Sequence, residues 1–185
     1  MKLKARIGAA LVAVLVGVGV AGIAASPAYA DSYLHVVRHF SNGWCMEVPY
    51  DPNTGTGSMV MGEQLRQGVC GPQTTWYQNF WFEDAGPPHL YFLRPGHNLW
   101  CIQPGVPSLQ RSTLIQWACT WGDEQKWLLE RVAPGSEGFT LMNAASGMCI
   151  TVEDDSLGQY IRQSFNCAHG LDPLRSTWRL PLPGF

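Results

Sequence analysis

The chain has 185 residues, 46% of them hydrophobic and 11% aromatic, with a formal net charge of −2. Eight Trp, seven Phe and six Tyr exclude a disordered chain. The slightly acidic balance offers no basic footprint for phosphate backbones or anionic membrane surfaces, which argues against nucleic acid as a partner.

The first segment reads as a targeting signal. Residues 1–30 hold a basic start (Lys2, Lys4, Arg6), an apolar run from Ile7 to Ala25, Pro27, and Ala28-Tyr29-Ala30 with small residues where signal peptidase requires them. The run is long enough to span a bilayer. The Ala-x-Ala site, Pro27 and the glycines inside the run favour a cleaved signal peptide over an anchor. Cleavage after Ala30 leaves 155 residues, 31–185, carrying nine basic and 14 acidic side chains, hence a net charge of −5. A chain of that size suits one domain, buries about 70% of its unfolded surface, and is expected to be secreted and extracellular without membrane insertion.

All six cysteines follow the signal, and an even count in an exported chain points to disulfides, with 15 pairings possible. They fall as three couples, Cys45 and Cys70, Cys101 and Cys119, Cys149 and Cys167, whose members stand 25, 18 and 18 residues apart. No C-x-x-C or Cys/His cluster accompanies them, so neither a metal nor any other cofactor is expected. Each couple opens on a turn followed by an alternating apolar segment: Ser41–Val48, Gly96–Pro104 and Ala145–Val152. Each unit closes on a tryptophan, Asn79-Phe80-Trp81, Gln125-Lys126-Trp127 and Ser176-Thr177-Trp178, and the tryptophans are spaced by 46 and 51 residues. That spacing is an internal repeat.

Four strands are predicted in each unit. The first is Leu34–Arg38, Leu90–Leu93 and Phe139–Met142, and the second carries the first cysteine. The third is Ser58–Leu65, Thr113–Trp117 and Gln159–Gln163, and the fourth starts near the closing tryptophan. The Gly- and Pro-containing segments Asp51–Gly57, Pro104–Ser108 and Asp154–Gly158 suit hairpin loops. No helical periodicity follows residue 30. Twelve short strands in three units predict an all-β domain closed as a barrel, since three blades are too few for an ordinary propeller.

The Cys…Cys…Q-x-W unit, three times repeated, resembles the ricin-type (ricin B-like) lectin family. The segments Leu141–Ile150 and Leu114–Cys119 with Gln125-Lys126-Trp127 carry the likeness best. It covers about residues 33–181, with repeats of about 33–84, 88–132 and 137–181. The resemblance implies a β-trefoil: a six-stranded barrel closed by three hairpins, with one disulfide inside each unit. Three such local, non-overlapping closures would each remove roughly 3 kcal/mol of unfolded-chain freedom. The tryptophans Trp81, Trp127 and Trp178 are expected to plug the core around a pseudo-threefold axis.

Sugar recognition needs an aromatic face for the apolar side of a pyranose, a carboxylate for its hydroxyls, and amides that donate and accept. The resemblance implies one shallow pocket per unit. Its acid stands two residues after the first Cys, a Gln and an aromatic stand before the second, and amides precede the closing Trp. The first unit offers Glu47 and Asn79 but no aromatic before Cys70, so Tyr50 or Trp76 would have to serve. The second offers Gln116, Trp117, Glu124 and Gln125, with Gln103 at the acid position. The third offers Gln163, Phe165 and Asn166, with Thr151 in place of the acid and Ser176 in place of the amide. The second unit ranks first, on Gln116 and Trp117.

Catalytic motifs are lacking: there is no G-x-S-x-G, no H-E-x-x-H and no phosphate loop. The expected function is non-enzymatic binding of a carbohydrate, glycan or polysaccharide, and net −5 suits neutral sugars. The alternative is a protein partner, with the trefoil acting as a protease inhibitor or a receptor-binding toxin subunit, because no unit keeps the full acid, amide and aromatic set.

Overall fold

The structure, a computed structural model, describes residues 34–72, 75–165, 167 and 173–180. The segment read as a signal peptide and the site candidate Asn166 lie outside these. The first unit contributes β1 (Leu34–Val36), β2 (Arg38–His39), β3 (Cys45–Glu47), β4 (Tyr50–Asp51), β5 (Thr56–Gly57), β6 (Arg66–Gly68) and β7 (Asn79–Asp84). The second contributes β8 (Leu90–Pro95), β9 (Cys101–Pro104), β10 (Leu114–Trp117) and β11 (Lys126–Arg131). The third contributes β12 (Gly138–Asn143), β13 (Cys149–Val152), β14 (Ile161–Ser164) and β15 (Trp178–Arg179). A 3-10 turn precedes the last strand of every unit: Trp76–Gln78, Asp123–Gln125 and Pro173–Ser176.

β1 and β2 are one strand interrupted at Val37. With that join, the antiparallel order β1-β7-β8-β11-β12-β15-β2 runs round and closes a six-stranded barrel. Three hairpins, β3/β6, β9/β10 and β13/β14, cap one end. Single bridges link them to one another, Gln64 to Ile115, Thr113 to Arg162 and Arg66 to Tyr160. This is the threefold β-trefoil that the resemblance implied.

The core repeats the same symmetry. Val37, Leu93 and Leu141 each lie eight residues before a unit's first cysteine; Met46, Ile102 and Ile150 each lie one after it. Leu65, Leu114 and Ile161 meet under the hairpins. All nine are fully buried, each worth about 1.5–3 kcal/mol of transfer free energy. The disulfides join Cys45 to Cys70, Cys101 to Cys119 and Cys149 to Cys167, with Cα–Cα distances of 5.0–5.3 Å. One bond sits inside each unit.

Two expectations need correction. The plug of the first unit is Phe80, not Trp81. Phe80 and Phe82 alternate inward on β7 as Trp127 and Leu129 do on β11, while Trp81 between them is half-buried on the other face. At a period of two, an inward Phe80 puts Trp81 on the other face. Trp127 and Trp178 also donate their indole N–H to the carbonyls of Ile102 (2.9 Å) and Ile150 (3.1 Å), which Phe80 cannot do. The residues aligned with Gln125 and Ser176 are therefore Gln78 in the first unit, and the motif there reads Gln78-Asn79-Phe80.

The third strand of the first unit is Arg66–Gly68, not Ser58–Leu65. Met59, Val60 and Met61 look like strand residues but stand 48%, 61% and 47% exposed in a loop. The turn before each first cysteine needs a left-handed residue. Gly43 (φ 73°) and Gly147 (φ 67°) supply it in two units, whereas Leu99 (φ 59°) is forced into it in the second.

Candidate functional site

In each unit a cleft lies where the second and third strands face the 3-10 turn. Strand register defines equivalent positions. The acid position pairs across the hairpin as Glu47 with Arg66, Gln103 with Ile115 and Thr151 with Arg162. The platform position, opposite the first cysteine, is Gly68, Trp117 and Ser164.

The first cleft is filled by its own chain. Glu47 is buried; its Oε1 accepts from Arg66 Nε at 2.9 Å and its Oε2 from Gln78 Nε2 at 2.6 Å. A Cβ on Gly68 would lie 2.0 Å from Glu47 Oε2, so the carboxylate occupies the space a platform would need. Asn79 is buried and donates to the Thr75 carbonyl at 2.8 Å, closing the 3-10 turn. Tyr50 leans on Tyr77 with ring centroids 5.6 Å apart. Burial, reinforced by the Glu47 charge, pushes the Tyr77 phenol above its usual pKa.

In the second unit the acid position and its cross-strand partner, Gln103 and Ile115, are both uncharged. Trp117, Ile115 and Gln103 share the outward face of the β9/β10 hairpin, since residues two apart on a strand share a face and cross-strand partners do too. Trp117 is 37% exposed and backed by Gly62, whose Cβ would stand 3.5 Å from the indole. Gln103 is half-buried; its Oε1 accepts from Gln125 Nε2 at 2.7 Å, and its own Nε2 makes no hydrogen bond among the described residues. Gln125 is fully buried and clamps the loop above. Its Oε1 accepts from the Thr120 and Trp121 amides (2.7 and 3.2 Å), and its Nε2 donates to the Ala118 carbonyl (2.9 Å). Glu124 is half-exposed and accepts from Thr120 Oγ1 at 2.8 Å.

Trp121, which sequence reasoning passed over, is 50% exposed in this loop. Its ring meets Phe92 edge-on at 5.0 Å and carries Arg94 at 5.6 Å. Its φ of 63° was the feature hidden from a sequence pattern.

Gln116 does not line the cleft. It is fully buried, accepts from Asn98 Nδ2 at 2.7 Å, and donates to the carbonyls of Ser58 (2.7 Å) and Val60 (2.9 Å) in the first unit. Gln163 does the same in the third unit. It accepts from Ser146 Oγ at 2.9 Å and donates to Pro107 and Leu109 carbonyls of the second at 2.7 and 2.8 Å. Gln67 completes the set, accepting from Asn42 Nδ2 (2.8 Å) and donating to the Asp154 carbonyl of the third unit (3.0 Å). The glutamine before each second cysteine is thus a strut between units.

The third cleft has a volume of about 260 Å3 and is lined by Arg111, Thr151, Glu153, Arg162, Ser164 and Arg175, among others. Thr151 Oγ1 donates to the Arg175 carbonyl at 3.1 Å, tying the 3-10 turn down where Gln125 does so in the second unit. Glu153 Oε1 lies 3.2 Å from Arg111 Nε and 3.4 Å from Arg162 Nε. Phe165, 63% exposed, follows the end of β14 and is absent from the cleft lining, whose platform position is Ser164.

His39, Ser41 and Asp155 form a hydrogen-bonded cluster at the junction of the first and third units. His39 Nδ1 is 3.2 Å from Ser41 Oγ, which donates to Asp155 Oδ1 at 3.0 Å. The imidazole is fully buried, and its Nε2 lies 3.3 Å from the Arg175 carbonyl. Among the described residues no group of three or more His, Cys, Asp or Glu could hold a metal ion, and no helix is long and apolar enough to cross a membrane.

A six-stranded barrel with three hairpin caps in threefold array defines a β-trefoil. The family model "Ricin-type beta-trefoil lectin domain-like" matches residues 77–163, a little under half of the chain. Among solved structures, the designed threefold-symmetric protein ThreeFoil has a TM-score of 0.66 at 23% identity, over 81% of this chain and 98% of that one. The Macrolepiota procera ricin B-like lectin, solved with lactose, has a TM-score of 0.63 at 11% identity, over 82% and 96%. The Polyporus squamosus lectin, solved with a human-type influenza-binding epitope, has 0.62 at 12%, over 80% of this chain and about half (48%) of that one. These likenesses establish the fold. No curated protein matches the chain.

Proposed function

We propose that the chain is a secreted, non-enzymatic carbohydrate-binding protein whose second-unit cleft takes a sugar ring on Trp117. The observation that carries this is the half-exposed indole on a rigid hairpin with the free Gln103 amide on the same face. Glu124 supplies a carboxylate on the neighbouring turn, and buried Gln125 orients Gln103 and the loop, acting through other groups and not on the sugar. The three disulfides and the residue pattern of 1–30 support export.

A single shallow site of this kind binds on the order of millimolar. Affinity electrophoresis in neutral polysaccharides, with a glycan array to choose the ligand, tests the proposal. Trp117→Ala should lose about tenfold in retention, equivalent to about 1.4 kcal/mol, while its melting curve stays close to that of the parent. No retention of the parent at millimolar ligand, or equal retention of both proteins, overturns it.

The alternative of a protein partner draws on the exposed apolar loop Met59-Val60-Met61, which Gln116 holds beside Trp117. Trp117→Ala that leaves partner capture intact and has no sugar phenotype would favour it.

A further inference from the structure

A glutamine amide brackets one residue in each unit. Gln116 Nε2 donates to the carbonyls of Ser58 (2.7 Å) and Val60 (2.9 Å), on either side of Met59. Gln163 Nε2 does so to Pro107 and Leu109 around Ser108, and Gln67 Nε2 to Asp154 and Ser156 around Asp155. The clamp is common to the fold, so the bracketed residues carry the difference. Ser108 is small. Asp155 commits its carbonyl to the Trp44 indole at 3.0 Å and its carboxylate to Ser41 and Asn42. Met59 is 48% exposed, and neither its N–H nor its carbonyl makes a hydrogen bond among the described residues.

The residues beside Met59 are held firmly. The Ser58 amide donates to the Pro49 carbonyl at 2.8 Å, and His97 Nε2 lies 3.1 Å from the Ser58 carbonyl oxygen. The Val60 amide donates to Ser58 Oγ at 3.2 Å, and the Val60 carbonyl accepts from the Glu63 amide at 3.2 Å as well as from Gln116. The Gly62 amide donates to the Gln116 carbonyl at 2.9 Å. Ser58, Met59 and Val60 lie in no helix, strand or turn. A short segment is thus fixed at both ends, with one large apolar side chain and its own peptide groups left to solvent.

An endopeptidase reads such a segment. It takes extended backbone against its own edge, seats one side chain in a primary pocket, and places that residue's carbonyl in an oxyanion hole. The unpaired groups of Met59 are the ones this requires. Preorganisation favours an inhibitor over a substrate, because the segment is ordered before it binds. When the Met59–Val60 bond is opened, Gln116 still holds the carbonyls on both sides and the Cys45–Cys70 disulfide still joins the two pieces, so the new amine stays beside the acyl group.

We propose that residues 58–61 form a reactive loop that inhibits serine endopeptidases with an apolar primary pocket, Met59 filling the pocket and Met59–Val60 being the bond presented. In the covalent step the protease's serine oxygen attacks the Met59 carbonyl carbon, and the serine proton passes through the protease's histidine to the Val60 nitrogen. The Met59–Val60 bond breaks to an ester and an amine, and reclosure reverses each transfer. The inference does not depend on a sugar at Trp117; it gives the protein-partner alternative an enzyme class and a bond.

The test is inhibition of chymotrypsin, subtilisin and trypsin, assayed on small chromogenic peptides with the full chain and its disulfides intact. The parent should inhibit chymotrypsin or subtilisin at about 1 μM or below and trypsin far more weakly. Met59→Arg should reverse that preference, since the trypsin pocket takes a cation. Met59→Gly should weaken inhibition by about thirtyfold or more. Leu157→Ala, at a comparably exposed apolar residue of the third unit, should inhibit as the parent does. Below its melting transition, Gln116→Ala should be cut at Met59–Val60, with one water added and the two pieces separating only after reduction. A parent that leaves chymotrypsin and subtilisin uninhibited at about 10 μM, a parent degraded as an ordinary substrate, or a Met59→Arg protein of unchanged preference overturns the reactive loop. Those results leave sugar binding at Trp117 standing. Conversely, inhibition that persists when sugar retention fails removes the Trp117 reading alone.

Discussion

Gln116 separates a structural from a ligand-binding role most sharply. Replacing it by Ala removes three hydrogen bonds, from Asn98 Nδ2 and to the Ser58 and Val60 carbonyls, at 2.7–2.9 Å. At about 1 kcal/mol net for each, the loss is about 3 kcal/mol. A domain of this size loses about 2–4 °C of melting temperature per kcal/mol, so the transition should fall by about 6–12 °C. Gln67→Ala and Gln163→Ala should cost the same within about 1 kcal/mol, since they brace the other two junctions with three and four bonds respectively. The assay is thermal and urea unfolding with disulfides intact, beside sugar retention per folded molecule. A loss below about 1 kcal/mol, together with abolished sugar retention, would refute the strut and return Gln116 to the binding site.

Two further outcomes follow from backbone strain and buried imidazoles. Leu99→Gly relieves a left-handed leucine costing about 1–2 kcal/mol against about 0.5–1 kcal/mol of added unfolded freedom. Leu99 is 46% exposed and gives up little burial, so the urea midpoint should rise slightly; a loss above about 1 kcal/mol would show that its side chain matters more than its φ. Burial pushes His35, His39 and His97 below the ordinary imidazole pKa. The folded state holds them neutral, while the unfolded chain takes up protons below about pH 6.5. This stability is fully present above that pH and is lost as pH falls through the depressed native values. Melting temperature should therefore drop between pH 7 and 5, and His97→Gln should flatten the slope; a profile that rises towards acid would contradict it.

The fold was legible because its signals are local and repeated. Cysteine couples, turn glycines such as Gly43 and Gly147, and apolar alternation round each first cysteine locate the hairpins without any long-range information. The errors arose where local signals conflict with packing between units. Asn79-Phe80-Trp81 contains two large aromatics in succession, and only pairing with β1 and β8 decides that Phe80 is the one facing in. Met59-Val60-Met61 carries strand-like residues in a loop held by a glutamine 56 residues further along.

The site was partly legible. Trp117 and Gln103 share the face expected of them. Gln116, Gln125, Gln163 and Asn79 are sugar-competent side chains in composition but are buried and committed to backbone partners. Sequence shows which groups can hydrogen-bond, and packing decides whether the protein has already used them. The arginine pair at Glu153 was invisible for the same reason, since Arg111 and Arg162 lie 51 residues apart in sequence and meet only across a unit boundary.

The glutamine struts make the three units a ring with no first member. The second unit leans on the first, the third on the second, and the first on the third. A chain cut at 85–89 and rejoined through its ends keeps every strut, because β15 already lies beside β2. A chain shortened to two units keeps the barrel's strand sequence but leaves one glutamine reaching for carbonyls that are gone and one set of carbonyls without its donor. Reordering such a protein is therefore cheaper than abridging it, and lone copies of a unit gain a reason to assemble in threes.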